Sequence, residues 1–159
     1  MKIIANLSAG TLLVNGAIYN ISNKIRTVRG GTRKTSEIVR SIPDDQPYDP
    51  QPFPKGLWEI IGVEWQEVDG KKMFDYYTYG PVKIRANAWQ WVKVWELDHD
   101  GDYLKETEQQ VKDYGYWLHY SQSSTTLGCI RLASAEDAKQ IARVIERLLV
   151  AGEKILLEV

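Results

Sequence analysis

"SAEDAKQIARVIERLLVAGEKILLEV", residues 134–159, carries the strongest structural signal in the chain. Ser134 followed three residues later by Asp137 is a capping-box variant of a helix start. Ala138, Ile141, Ala142, Ile145, Leu148 and Leu149 then recur at the spacing of one helical face, and Gly152 ends the run. A face of that kind is stable only when it covers something. The closing KILLEV is predicted as a strand, so a sheet is the surface on offer.

Upstream, short apolar runs alternate with turn signals. Ile3-Ile4-Ala5, Leu12-Leu13-Val14 and Ala17-Ile18-Tyr19 are predicted strands, with Asn15-Gly16 a tight hairpin turn between the last two. Leu57 to Val68 predicts a strand pair with Gly62 inside it, and Asp69-Gly70 predicts a turn. KMFDYYTYGPVKI and NAWQWVKVWELD read as further strands. Residues 29–51 are polar and carry prolines at 43, 47 and 50, which predicts a long loop or flap. Many strands, one strong helix and a final strand make an α+β, mostly β chain, with one C-terminal amphipathic helix laid against the sheet. Its 159 residues suit one domain spanning 1–159.

The charge balance narrows the partners. Twenty basic against 21 acidic side chains leave a net charge of −1, without the basic excess of a nucleic-acid binder. No stretch reaches the roughly 20 apolar residues of a membrane span. The N-terminus lacks the apolar core of a cleavable signal peptide, because Asn6, Ser8, Gly10, Thr11 and Asn15 interrupt it. A single cysteine rules out an internal disulfide. Asp98, Asp100 and Asp102 surround Gly101, but the glycine falls too early for a helix–loop–helix calcium loop. A hydrated turn is expected there, and neither metal nor cofactor is assigned. Trp89, Trp91 and Trp95 alternate onto one face of an extended chain. Such a row covers a sheet or, alternatively, stacks on sugars, which would make the protein a non-catalytic cell-wall glycan-binding module.

"DYGYWLHYSQSSTTLGCIRL", residues 113–132, holds the one cysteine and one of two histidines. Trp117 and Leu118 deliver His119 near the end of a strand, and a hydroxyl-rich loop leads to Gly128-Cys129-Ile130-Arg131. A free thiol with a pKa of about 8.5 holds little thiolate at neutral pH. A histidine within reach takes the proton and can return it to a leaving amine. Nine residues lie between His119 and Cys129, enough for a strand end, a loop and a return. Gly128 permits close backbone approach, and N–H groups around the Gly-Cys turn are candidate oxyanion donors.

HYSQSSTTLGCIRL resembles the signature of the L,D-transpeptidase (YkuD-like) cysteine enzymes, in which a histidine precedes a Ser/Thr-rich stretch and Ser-His-Gly-Cys, followed by Ile/Val-Arg-Leu/Met. PFPKGLWEI and DAKQIARVI…AGEKILLEV resemble an earlier segment and the closing helix and strand of the same domains. The resemblance implies a β-sandwich domain that attacks peptidoglycan stem peptides through a cysteine acyl-enzyme, giving transpeptidase or carboxypeptidase products. It also implies action in the cell envelope or periplasm. Cys129 matches the nucleophile, His119 the general base and Gly128 the motif glycine. Arg131 matches the arginine that shapes the site and meets a substrate carboxylate; a structural ion pair is the competing role for that side chain. Leu127 stands where the common motif has a second histidine, and the His-to-Cys spacing is shorter than in most members.

Overall fold

The computed structural model describes residues 1–24, 28–35, 38–48, 53–113, 116–126 and 128–159, and their side chains except at 28–48, 89–97, 103 and 106–113. Three strands open the chain, β1 (Lys2–Asn6), β2 (Thr11–Val14) and β3 (Ala17–Ser22). Alternation decides which side faces in: Ile3, Ala5, Leu12 and Val14 are buried, while Lys2, Ile4 and Asn6 face out. Asn15 and Gly16 have φ of 47° and 83°, the paired left-handed conformation of a two-residue hairpin turn.

β4 (Val28–Thr35) and β5 (Ile38–Tyr48) form an antiparallel pair with a bulge between Arg29 and Gly31. Within 29–51, the span predicted as a long loop or flap, the described residues pair as a two-stranded ribbon, which is not a structureless loop. Alternating burial, the signal a strand search relies on, is not needed by two strands that pair only with each other among the described residues. β6 (Leu57–Trp65) buries Trp58 and Ile60 and bulges between Ile60 and Gly62. β7 (Glu67–Val68) and β8 (Lys71–Lys72) join through Asp69 and Gly70, both at positive φ.

The segment KMFDYYTYGPVKI departs from its predicted strand. Residues Tyr76–Tyr79 form a single helical turn, α1, stopped by Gly80 at φ 69° and by Pro81. The strand β9 (Val82–Leu97) begins only after that stop. It continues past the core as a long hairpin with β10 (Tyr103–Asp113). The Trp89, Trp91 and Trp95 side chains lie outside the described residues. Between these strands, Asp98 Oδ1 accepts the N–H groups of Asp100 and Asp102, both at 2.9 Å, so the carboxylate holds its own turn. β11 (Trp117–His119) and β12 (Ile130–Leu132) follow, then α2 (Ala135–Val150) and β13 (Leu156–Glu158).

The sheet order is β9-β11-β12-β3-β2-β1-β13-β6, and β6 pairs back onto β9. The β-sandwich expected from the sequence is therefore corrected to one mixed sheet closed into a barrel. Closure occurs because β6 uses one edge for β13 at Leu57–Glu59 and the other for β9 at Glu59–Trp65. β11–β12 and β1–β13 are the parallel pairs, and the other pairings are antiparallel. Helix α2 behaves as predicted. Ser134 Oγ accepts the Asp137 N–H at 3.0 Å, and Ala138, Ile141, Ala142 and Ile145 are buried against a surface that includes β6, β9 and β12. Phe53, Trp58 and Tyr116 meet edge to face with centroids 4.8–5.6 Å apart, pinning the approach to β11. Among the described residues no helix is long and apolar enough to cross a membrane.

Candidate active site

The parallel pairing of β11 with β12 builds the site. Leu118 lies opposite Ile130 and His119 opposite Arg131, and Cys129 is the residue just before Ile130. Leu118, Ile130 and Leu132 point into the barrel. By alternation His119, Arg131 and Cys129 share the outer face. Across β9 the register adds Lys83 opposite His119, with Val82 and Ile84 facing in. The row Lys83–His119–Arg131 therefore sets an imidazole between two cations.

That outer face is not bare. Gly80 presses against the Tyr120 backbone so closely that a Cβ there would overlap its carbonyl oxygen. This contact seats α1 over the row. The Tyr79 ring meets His119 edge-on at 5.1 Å and Trp117 at 5.1 Å, and Lys83 Nζ lies 4.6 Å from its centroid. Lys83 itself is buried and paired with Glu64 at 3.2 Å and Asp75 at 3.3 Å. Burial, then the neighbouring Cys129 and Asp75, raise the Tyr79 phenol above its ordinary range. Tyr79 thus lies against His119 and within the electrostatic reach of Cys129.

His119 is 5 % exposed, and burial drives its pKa from 6.5 down to about 4. The Tyr120 carbonyl opposes this by favouring a proton on the ring, while Arg131 and Lys83 add to the lowering. The imidazole is neutral at physiological pH. Its Nδ1 is buried without a hydrogen-bond partner.

Cys129 is half-buried, and the backbone around it is tightly held. Gly128 has a φ of 132°, a conformation that suits glycine alone. Its N–H donates to Thr126 Oγ1 at 2.8 Å, so among the N–H groups of the Gly-Cys turn this one is already engaged. Thr126 Oγ1 and Asn23 Nδ2 both donate to the Cys129 carbonyl, at 2.9 Å each. Arg131 Nε donates to the Ser121 carbonyl at 3.0 Å, and its guanidinium lies 5.2 Å from the Tyr120 ring centroid. It ties the hydroxyl-rich loop to β12, and no carboxylate is paired with it among the described residues.

Structure therefore gathers His119, Gly128, Cys129 and Arg131 on one patch; Leu127 lies outside the described residues. His99 sits in the distant β9–β10 turn, 90 % exposed beside Asp100. Tyr79, Lys83, Asn23 and Thr126 escaped the sequence. Lys83 left one trace, a charge flanked by Val82 and Ile84, while Asn23 left none.

No curated protein and no solved structure matches the chain significantly. The family description of the L,D-transpeptidase catalytic domain (YkuD) matches residues 3–154, nearly the whole length. Because that match spans nearly the whole chain, the chain belongs to the L,D-transpeptidase (YkuD) family of peptidoglycan-acting enzymes.

Proposed function

We propose that this protein is a cysteine acyl transferase that cuts peptidoglycan stem peptides in the cell envelope, with Cys129 as nucleophile and His119 as general base. One observation carries the reading: β11 and β12 run parallel, so His119 and Cys129 reach the same outer patch, where Tyr79 touches the histidine and feels the thiol.

The proton inventory supports it. Burial keeps the ring neutral, so one of its nitrogens is free to accept a proton, and Nδ1 is buried without a hydrogen-bond partner. Sγ bonds to the carbonyl carbon of the amide beside the diamino acid as its proton passes to the His119 imidazole. The tetrahedral intermediate then expels the terminal amino acid, whose nitrogen receives that proton. The remaining peptide is held as a thioester. An amine acceptor gives a cross-link or exchange product, and water gives carboxypeptidation. Arg131 shapes the loop that walls the site, and Gly128 sets the turn that presents the thiol.

The test is incubation with a purified disaccharide-tetrapeptide followed by mass spectrometry. Release of the terminal residue, a cross-linked dimer or an exchanged terminal amino acid is expected, and each should vanish in Cys129→Ala. Turnover that survives in Cys129→Ala would remove Cys129 as nucleophile. Binding without turnover by the wild type would favour a glycan-binding module.

A further inference from the structure

Asn23 stands one residue past the end of β3, where the chain leaves the barrel toward the β4–β5 ribbon. Phe53 stands where the chain returns toward β6. One side chain spans both points and the nucleophile. Asn23 Oδ1 accepts the Phe53 N–H at 3.2 Å, while Nδ2 donates to the Gly128 carbonyl at 2.8 Å and the Cys129 carbonyl at 2.9 Å. Next to it, the Thr126 N–H donates to the Lys24 carbonyl at 2.8 Å, and Thr126 Oγ1 adds its own donation to Cys129.

The consequence follows from peptide geometry. A peptide unit is planar and trans, so holding the Gly128 carbonyl also fixes the direction of the Cys129 N–H on the opposite side. Holding the Cys129 carbonyl fixes the next plane. With both flanking planes fixed, the Cα–Cβ vector of Cys129 is set and only χ1 remains to place Sγ. Gly128 cannot impose this itself, because glycine has the weakest conformational preference of any residue. An external clamp is required, and Asn23 is the side chain that reaches both carbonyls.

We infer that Asn23 is a positioning residue for Cys129, and that its bond to Phe53 ties the start of the approach to β6 to the geometry of the nucleophile. The inference rests on Cys129 being the reacting residue. Loss of the clamp lets the thiol wander while the side chains around it stay in place. The effect belongs in kcat, where a misplacement of about 1 Å costs on the order of 100-fold.

The experiment compares the full chain as wild type, Asn23→Ala and Asn23→Asp, each checked for cooperative thermal unfolding. Asn23→Asp keeps the acceptor for Phe53 and loses both donations; it carries the test should Asn23→Ala not fold. On the disaccharide-tetrapeptide, kcat should fall about 10- to 100-fold with KM within about twofold. Separately, the rate of Cys129 with a pyridyl disulfide is followed against pH. Both variants should depart from the wild-type profile. The Asn23→Asp defect should shrink at acid pH, where a protonated carboxyl donates again, and the Asn23→Ala defect should not. This thiol measurement needs no peptidoglycan, so it decides the inference even if the wild type fails to turn over the muropeptide. A thiol profile superimposable on wild type in a folded variant, or a loss confined to KM, overturns it.

Discussion

Folding stability should fall in acid because of one buried imidazole, and the size follows from its surroundings. Burial holds His119 near a pKa of about 4, against 6.5 when unperturbed. Above about pH 6.5 the ring is neutral in both states and its effect on stability is complete. As pH falls, the unfolded chain takes up a proton that the folded chain refuses, so stability is lost through about pH 4, below which both states are protonated. A gap of about 2.5 units corresponds to about 3 kcal/mol. Carboxylates titrate in the same window, so the readout is a difference. Urea unfolding of wild type and His119→Gln is measured at several pH values from neutrality to about 4. The stability gap between the two proteins should close by about 3 kcal/mol, all of it as the pH is lowered through this window. Curves that decline in parallel would refute the neutral buried imidazole. So would a gap that widens in acid, the sign of a thiolate–imidazolium pair in the resting protein. Catalysis should report the same group, with the acid limb of kcat/KM close to the low folded value.

Lys83→Met removes a cation that disfavours the charged ring, so His119 should titrate at higher pH in the variant; NMR of its Cε1 proton measures this, and an unchanged or lower midpoint would contradict the cationic row. Gly80→Ala forces a methyl group into the Tyr120 carbonyl from a positive-φ position, and should cost about 1–3 kcal/mol of stability while lowering kcat through the displaced His119. Denaturant melts and steady-state kinetics on the same preparation read both effects. Ser134→Ala removes the cap of α2 and should cost about 1 kcal/mol in thermal unfolding, with KM and kcat unaltered.

Local order was legible wherever the cause was local. The cap at Ser134, the apolar face of α2 and the left-handed pair Asn15-Gly16 each depend on neighbours within a few residues, and each stands as the sequence predicts. The His119-to-Arg131 segment was legible because a histidine, a glycine, a thiol and a guanidinium stand there in one short motif. Long-range hydrogen bonding was hidden. Nothing in residues 57–65 announces that both edges of β6 are used, yet that double pairing turns an expected sandwich into a barrel. Tyr76–Tyr79 was misread because an aromatic run fits either period, and the Gly80 contact with Tyr120 decided for a helical turn. Asn23 lies more than a hundred residues from Cys129, and an asparagine near a strand end looks like any turn residue. The sequence by itself carried the candidate reacting groups and those helices and strands whose pattern is local, α2 and the β2–β3 hairpin above all. Only the tertiary structure decided the protonation of His119 and the planes around Cys129, because desolvation and hydrogen-bond partners come from chain segments that meet in space alone.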